Sequence, residues 1–317
     1  MVSKIYLIYF TVLALAANSF NLWSLWVWME LLNFIFIPSM AFNSLTYRKK
    51  ILFYFIIQSC VSFILIISIF LMNFHLFVDL LIISCLLFKL GSFPFFSWVL
   101  KVVEDTDWSF IKYLFTVMKG VPFIMLTYIK PYEELIWLSV IGMMISLGGV
   151  YSSSMRKIMA FSSIDHTSWM IISLMLAKWT FVMYFLMYTL MLSIVTQIFN
   201  KVNLTSLKNF TFSQFMKVPL FMTFITITSL PPFIMFLPKI FLVKMMIDQG
   251  YLIVAVVSTT ISICSVYMYI KVFILGVMYN KISLRPFMSY VNSKSLMFYM
   301  LIIFSMYISY FLIYMYW

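Results

Sequence analysis

The chain has 317 residues, of which 65% are hydrophobic and only 9% are charged, and its mean hydropathy is +1.08. A soluble domain carries about a quarter charged residues, so no soluble core could absorb this much apolar surface and the bilayer must be the solvent. The formal net charge is +12, but the basic residues are spread over short loops, which argues against nucleic-acid binding.

Apolar runs predict about eleven transmembrane helices, since each crossing of the hydrocarbon core needs roughly 20 residues. In chain order these runs are 4–20, 21–44, 51–73, 76–98, 109–129, 133–152, 156–177, 180–200, 217–247, 251–278 and 296–316. The sequence therefore predicts an all-α polytopic membrane protein, with residues 1–317 forming a single membrane domain.

The basic residues of the loops fall mainly on one side of the membrane. Lys130 and Lys178 lie in loops of the other side, with Lys244 near a helix end. The richer side carries Lys4, Arg48, Lys49, Lys50, Lys101, Arg156, Lys157, Lys201, Lys208, Lys217, Lys281, Arg285 and Lys294. The positive-inside rule then predicts an inside N-terminus and an outside C-terminus.

Helix-breaking residues cluster in two of the predicted helices, although the chain has only 7 glycines and 9 prolines. Helix four contains Gly91 and Pro94, and helix nine contains Pro231 and Pro232, followed by Pro238. Such breaks free backbone groups, which hydrocarbon tolerates only where protein or a watery cavity satisfies them.

The two interrupted helices lie five apart in chain order, which predicts an inverted repeat of five helices. Because five is odd, the second copy would be upside down in the membrane, as in many secondary transporters. The first copy would span 1–129, the second 133–278, and a C-terminal loop and helix 279–317. The alternative is that two proline-kinked helices lie five apart by accident.

Five ionisable side chains lie inside predicted helices at broadly similar depth: Glu30, Lys89, Lys119, His166 and Lys239. Ionisable groups at this depth are costly and usually mark ion pathways. A helix bundle could align them into a polar row, which is the apparatus of a proton relay. A lysine can be switched by moving a nearby carboxylate, and histidine titrates near neutral pH.

Structural roles are the alternatives for these residues. Glu30 and Lys89 could form a static ion pair. His166 could only hydrogen-bond a neighbouring helix, and Asp165 beside it could only cap a kink. Lys239 could extend its ammonium to the outer face.

Five short motifs follow one another along the chain. They are Trp28-Met-Glu-Leu-Leu-Asn33, Lys89-Leu-Gly-Ser-Phe-Pro-Phe95 with Trp98, Met118-Lys-Gly-Val-Pro122, the segment 155–170, and the segment 230–239. In this order and spacing they resemble the chain 2 family of mitochondrial NADH:ubiquinone oxidoreductase, respiratory complex I. The resemblance extends to about residue 280.

The resemblance implies an antiporter-like subunit that moves protons across the mitochondrial inner membrane, with its N-terminus on the matrix side and its C-terminus on the intermembrane-space side. Glu30 and Lys89 match the Glu–Lys pair at the input end of the family's path. Lys119 matches its central proton-carrying lysine, His166 its bridging histidine region, and Lys239 its distal lysine.

The resemblance also implies partners and cofactors. The partners are other membrane-arm subunits of complex I, including neighbouring antiporter-like chains, together with membrane lipids, protons and water. No cofactor is expected in this chain, because the flavin, the iron–sulfur clusters and the ubiquinone site belong to other subunits. Asp165 departs from the family pattern, in which a small or amide residue is more usual, so its role is open.

The leading functional prediction is a proton-translocating subunit of NADH:ubiquinone oxidoreductase with no redox site of its own. One alternative is another antiporter-like chain or a stand-alone cation/proton antiporter, against which Lys239 argues because some of those relatives carry an acid there. The other is a membrane scaffold that pumps nothing, which predicts that the mid-membrane charges can be neutralised without loss of pumping.

Overall fold

The computed structural model describes residues 2–43, 48–72, 77–104, 106–129, 133–202, 226–227, 229 and 235–279. The regular elements in these ranges are helices, as hydrocarbon requires of a backbone that must satisfy its own hydrogen bonds. They are α1 Val2–Ala17, α2 Leu22–Asn43, α3 Arg48–Leu71, α4 Phe77–Leu90, α5 Ser97–Val103, α6 Trp108–Phe115, α7 Val117–Leu126, α8 Glu134–Ser146, a 3-10 helix Leu147–Tyr151, α9 Met155–Leu176, α10 Lys178–Val202, α11 Phe236–Asp248 and α12 Leu252–Tyr279.

Six helical stretches within the described ranges are long and apolar enough to cross a membrane. They are Leu22–Met40, Lys49–Leu71, Trp108–Leu126, Glu134–Tyr151, Lys178–Asn200 and Leu252–Lys271. The all-helical, multi-pass class is thus confirmed. The predicted helix 296–316 lies outside the described residues, as does nearly all of the first part of predicted helix nine.

The bundle consists of two groups of helices joined by contacts with α9 and α10. Helices α1, α2 and α4 pack against α7, and α3 packs against α2 and α4. Helices α8 to α12 pack with one another. Contacts of α5 with α9 and of α6 with α10 join the groups. Most of α9 is buried, whereas large apolar side chains such as Phe63, Trp179 and Ile253 are exposed at the outer surface. That pattern fits a lipid solvent rather than water.

A glycine cap ends α4 within the predicted helix four. Gly91 has φ +64, and its N–H donates to the Phe88 carbonyl at 3.0 Å while that of Ser92 donates to Leu87 at 3.2 Å. These two bonds form a Schellman motif. The Trp98 indole also donates to the Phe88 carbonyl, at 3.0 Å, so protein groups satisfy carbonyls that the break leaves free.

Gly91→Ala is expected to destabilise the chain, because a Cβ would overlap Val99 Cγ2 and the left-handed φ disfavours any side chain. The backbone effect alone costs about 1–2 kcal/mol, and the overlap adds to it. Thermal unfolding of the membrane-embedded protein measures the loss. Gly250→Ala is the control, because Gly250 has φ +87 but a Cβ added there would meet nothing within 4 Å. Equal losses at the two positions would show that contact with Val99 is unimportant.

A second interruption lies within the helix predicted over 109–129, which the structure retains as the membrane-spanning stretch Trp108–Leu126. Thr116 separates α6 from α7 with φ −109 and ψ −81. Its hydroxyl and its N–H both donate to the Lys112 carbonyl, at 2.7 and 3.1 Å. Lys119 therefore lies in the first turn of α7. Gly120 and Pro122 lie after the interruption, within α7.

The predicted break in helix nine is only partly described. Pro231 and Pro232 lie outside the described residues. Ser229 has a left-handed φ of 53, and α11 begins at Phe236. Lys239 accordingly lies in the first turn of α11.

Candidate functional site

A buried ion pair joins α2 to the end of α4. Lys89 Nζ donates to Glu30 Oε1 at 3.1 Å, and the two side chains are 4% and 19% exposed. Lys89 lies in the last turn of α4, where the helix dipole favours a cation. The Asn33 amide donates to the same Glu30 oxygen at 3.4 Å, and the Tyr54 hydroxyl donates to Asn33 Oδ1 at 3.1 Å. These bonds orient the carboxylate toward Lys89.

A small cavity lies beside this pair and reaches Lys119. Its lining includes Lys89 and Lys119 together with the polar side chains of Asn33, Tyr54 and Gln58. The space open to the centres of water molecules is about 20 Å³, which suffices for one ordered water with several polar partners. The cavity therefore offers a polar connection between the two lysines.

Lys119 is the least exposed of the three buried lysines and contacts α9. Its side chain is largely buried, with the residue 3% exposed, and Nζ donates to the Ser163 carbonyl at 3.4 Å. The ammonium lies 5.0 Å from the centroid of the Phe115 ring. Within the described residues no carboxylate forms an ion pair with it. No fixed counter-ion in this part of the chain holds its charge in place.

His166 is buried on α9 and faces α10. Its Nδ1 lies 3.0 Å from the Tyr184 hydroxyl, and its ring centroid lies 5.1 Å from that of Tyr188. A histidine with a hydroxyl partner can donate or accept according to its tautomer. The arrangement suits a group that exchanges a proton without leaving its place.

A second buried ion pair joins α9 to α11. Lys239 Nζ lies 3.5 Å from Asp165 Oδ2, with both side chains 7% exposed. The same ammonium lies 5.1 Å from the centroid of the Trp169 ring. Asp165 and Trp169 are four residues apart on one face of a helix, so together they enclose the ammonium.

Two of the five predicted residues pair with each other, and Lys119 and Lys239 each contact α9. The structure places Glu30 against Lys89, and Lys119 against the helix that carries His166. It pairs Lys239 with the carboxylate that precedes His166. Hydrogen bonds in the described part of the chain do not join His166 directly to either Lys119 or Lys239. The polar row is thus interrupted by gaps between its members.

Several groups near the site had no place in the sequence prediction. They are the side chains of Asn33, Tyr54, Gln58 and Tyr184 and the carbonyl of Ser163. The sequence did contain a signal for Asn33, because this residue ends the first motif one helical turn after Glu30. The others come from different helices, and only the packing brings them to the site. In the described ranges no group of three or more His, Cys, Asp or Glu residues could hold a metal ion.

Interrupted helices around buried lysine–carboxylate pairs define an antiporter-like membrane protein. Residues 73–265 match the family described as NADH:quinone oxidoreductase/Mrp antiporter, TM. NADH-ubiquinone oxidoreductase chain 2 of Anopheles gambiae is 31% identical over 288 residues, which are 84% of this chain and 82% of the relative. The chain belongs to the NADH-ubiquinone oxidoreductase chain 2 family, within the wider NADH:quinone oxidoreductase/Mrp antiporter family.

Solved structures show the same fold at low sequence identity. A chain of respiratory complex I from Thermus thermophilus with bound aureothin superposes with a TM-score of 0.75 at 18% identity, covering 87% of this chain and 69% of that one. A chain of the membrane-bound sulfane sulfur reductase, an archaeal respiratory membrane complex, gives 0.81 at 15% identity, covering 96% and 72%. The antiporter-like fold is thereby confirmed.

Proposed function

We propose that this chain is an antiporter-like subunit of the membrane arm of respiratory complex I and translocates protons, driven by electron transfer in other subunits of NADH:ubiquinone oxidoreductase. Membership of the chain 2 family supports this function. The observation that carries it is the position of Lys119, which is buried without an ion-pair partner in the described residues and lies between two lysine–carboxylate pairs. A scaffold has no need of such a charge.

The proposed path begins at Glu30 and Lys89. Moving Glu30 away leaves Lys89 as an unpaired cation in apolar surroundings, which favours release of its proton. Water in the adjoining cavity conducts that proton to Lys119. From Lys119, which contacts α9, the proton passes toward His166 and then Lys239. Gaps too wide for direct bonds require water, as is common in polar sites.

The inverted repeat is part of this proposal, with 1–129 and 133–278 as its two copies. Several contacts between helices correspond in the two copies. The contact of α1 with α2 corresponds to that of α8 with α9, and α2 with α3 to α9 with α10. The contact of α4 with α7 likewise corresponds to that of α11 with α12. These correspondences support two copies of one supersecondary unit.

We place the N-terminus on the matrix side, as the loop charges predict, with the C-terminus in the intermembrane space. Contacts at the face that carries most of the basic loop residues support this topology. Glu104 pairs with Lys157 at 2.6 Å and accepts a bond from Arg156 at 3.1 Å through its carbonyl. These residues lie at helix ends beside two loops that the alternation assigns to the inside.

Contacts at the opposite face support the same topology. The Tyr128 hydroxyl donates to the Ser19 carbonyl at 3.2 Å, and the Gln249 amide donates to the Leu176 carbonyl at 3.4 Å. The alternation assigns all four of these positions to the outside. The proposed partners are the other membrane-arm subunits, and the redox cofactors are proposed to lie in other subunits of the complex.

The proposed function is tested by neutralising Lys119 and measuring protons moved per electron in the complex reconstituted into liposomes. Loss of translocation supports the relay, whereas an unchanged proton yield supports the scaffold. A sodium or potassium requirement for translocation would instead indicate a cation/proton antiporter.

A further inference from the structure

We propose that Asp165 carries a proton during turnover and forms with Lys239 a second switching pair, equivalent to Glu30 and Lys89. This inference rests on the proposed function, because it concerns the same proton path. The sequence pattern left the role of Asp165 open, and the structure places its carboxylate against a lysine that the path already requires.

The position of the pair in the repeat supports this assignment. Glu30 lies on α2 and Lys89 on α4, which are the second and fourth helices of the first copy. Asp165 lies on α9 and Lys239 on α11, which are the second and fourth helices of the second copy. Each pair therefore joins the same two members of its repeat, and each lysine lies near a helix interruption.

Only one of the two carboxylate oxygens of Asp165 has a hydrogen-bond partner in the described part of the chain. Oδ2 faces Lys239 at 3.5 Å, whereas Oδ1 is buried and has no hydrogen-bond partner in the described part of the chain. A buried carboxylate that served only as a static counter-ion would be expected to have both oxygens satisfied. The second oxygen is thus an open acceptor for a proton.

Helix ends make the second lysine more dependent on its carboxylate than the first. Lys89 lies in the last turn of α4, where the dipole stabilises a cation, but Lys239 lies in the first turn of α11, where the dipole opposes one. Neutralising Asp165 therefore leaves Lys239 with an unfavourable charge. Protonation of Asp165 is a direct means of making Lys239 release its proton.

The step conserves protons and charge. An arriving proton binds Asp165 Oδ1 and ends the ion pair. Lys239, now an unpaired ammonium, releases its proton onward and becomes a neutral amine. The proton on the Asp165 carboxyl then transfers to this amine, and the ion pair forms again. One proton has entered and one has left.

The first experiment compares Asp165→Asn with Asp248→Asn in the complex reconstituted into liposomes. Asp248 is exposed at the end of α11, so it controls for the same chemical change outside the path. Proton translocation is expected to fall by about a hundredfold for Asp165→Asn, as for loss of a positioned proton-transfer group, and to be unchanged for Asp248→Asn. Retained translocation in Asp165→Asn would overturn the inference.

Infrared difference spectra separate a proton carrier from a static counter-ion. On addition of NADH, the native complex is expected to show a protonated-carboxyl band that is absent from Asp165→Asn and present in Asp248→Asn. A translocation defect without loss of such a band would assign Asp165 a purely electrostatic role and overturn the inference. If Asp165→Asn does not assemble, the double variant Asp165→Asn/Lys239→Gln, which leaves no unpaired charge, serves to assign the band.

Lys119→Met distinguishes the failure of this inference from that of the proposed function. If Lys119→Met abolishes translocation while Asp165→Asn retains it, only the role of Asp165 is wrong. If both variants translocate protons normally, the proposed function itself is wrong.

Discussion

Lys119→Met is expected to reduce proton translocation by about a hundredfold or more, in line with the loss of a positioned proton-transfer group. The complex should nevertheless assemble. Lys119 has no ion-pair partner in the described residues, so its removal leaves no carboxylate there without a counter-ion. The Phe115 ring beside the ammonium accommodates the apolar methionine side chain. The loss should therefore appear in translocation and not in folding.

The measurements are the rate of proton translocation and the number of protons moved per electron, with the amount of assembled complex determined on the same sample. Lys244→Met is the matched control, because Lys244 is exposed on α11 and its substitution removes the same charge. Its proton yield should equal that of the native complex. An unchanged yield in Lys119→Met would remove this residue from the path.

Glu30→Gln is expected to affect both stability and translocation. It leaves the ammonium of Lys89, whose side chain is only 4% exposed, without its counter-ion. Breaking a buried pair in this way costs about 3–5 kcal/mol, and the partial exposure of Glu30 favours the lower value. Assembly should fall, and the remaining complex should turn over slowly because Lys89 has lost the carboxylate that controls it.

The double variant Glu30→Gln/Lys89→Met separates these two effects. It removes both charges, so assembly should recover toward the native amount while translocation stays low. Glu133→Gln, at an exposed position before α8, is the control for the single change. Recovery of translocation together with assembly in the double variant would mean that the pair is only structural.

Membrane class and family were predictable from the chain because the signals are large. Composition alone excludes a soluble core, and apolar runs of spanning length dictate helices. Glu30 and Lys89 could be named in advance because few charged residues lie within the predicted spans, and the structure places them 3.1 Å apart. The fold places the cap at Gly91 in the same helix that the proline and glycine pattern singled out.

The rest of the site depends on packing that the sequence does not display. The pairing of Asp165 with Lys239 joins residues far apart in the chain, and the residue pattern alone leaves the capping of a kink as an alternative role for Asp165. The interruption at Thr116 carries neither glycine nor proline. Tyr184 reaches His166 from a neighbouring helix with no motif to mark it.

In the proposed relay, Lys119 exchanges protons with the groups on either side of it. A high-resolution map of the assembled membrane arm tests this most directly, because ordered water can be located around Lys119. We predict water in the cavity between Lys89 and Lys119, and a further hydrated connection from Lys119 along α9 toward Lys239. Dry, apolar gaps on both sides of Lys119 in resting and turning-over complex alike would contradict the relay.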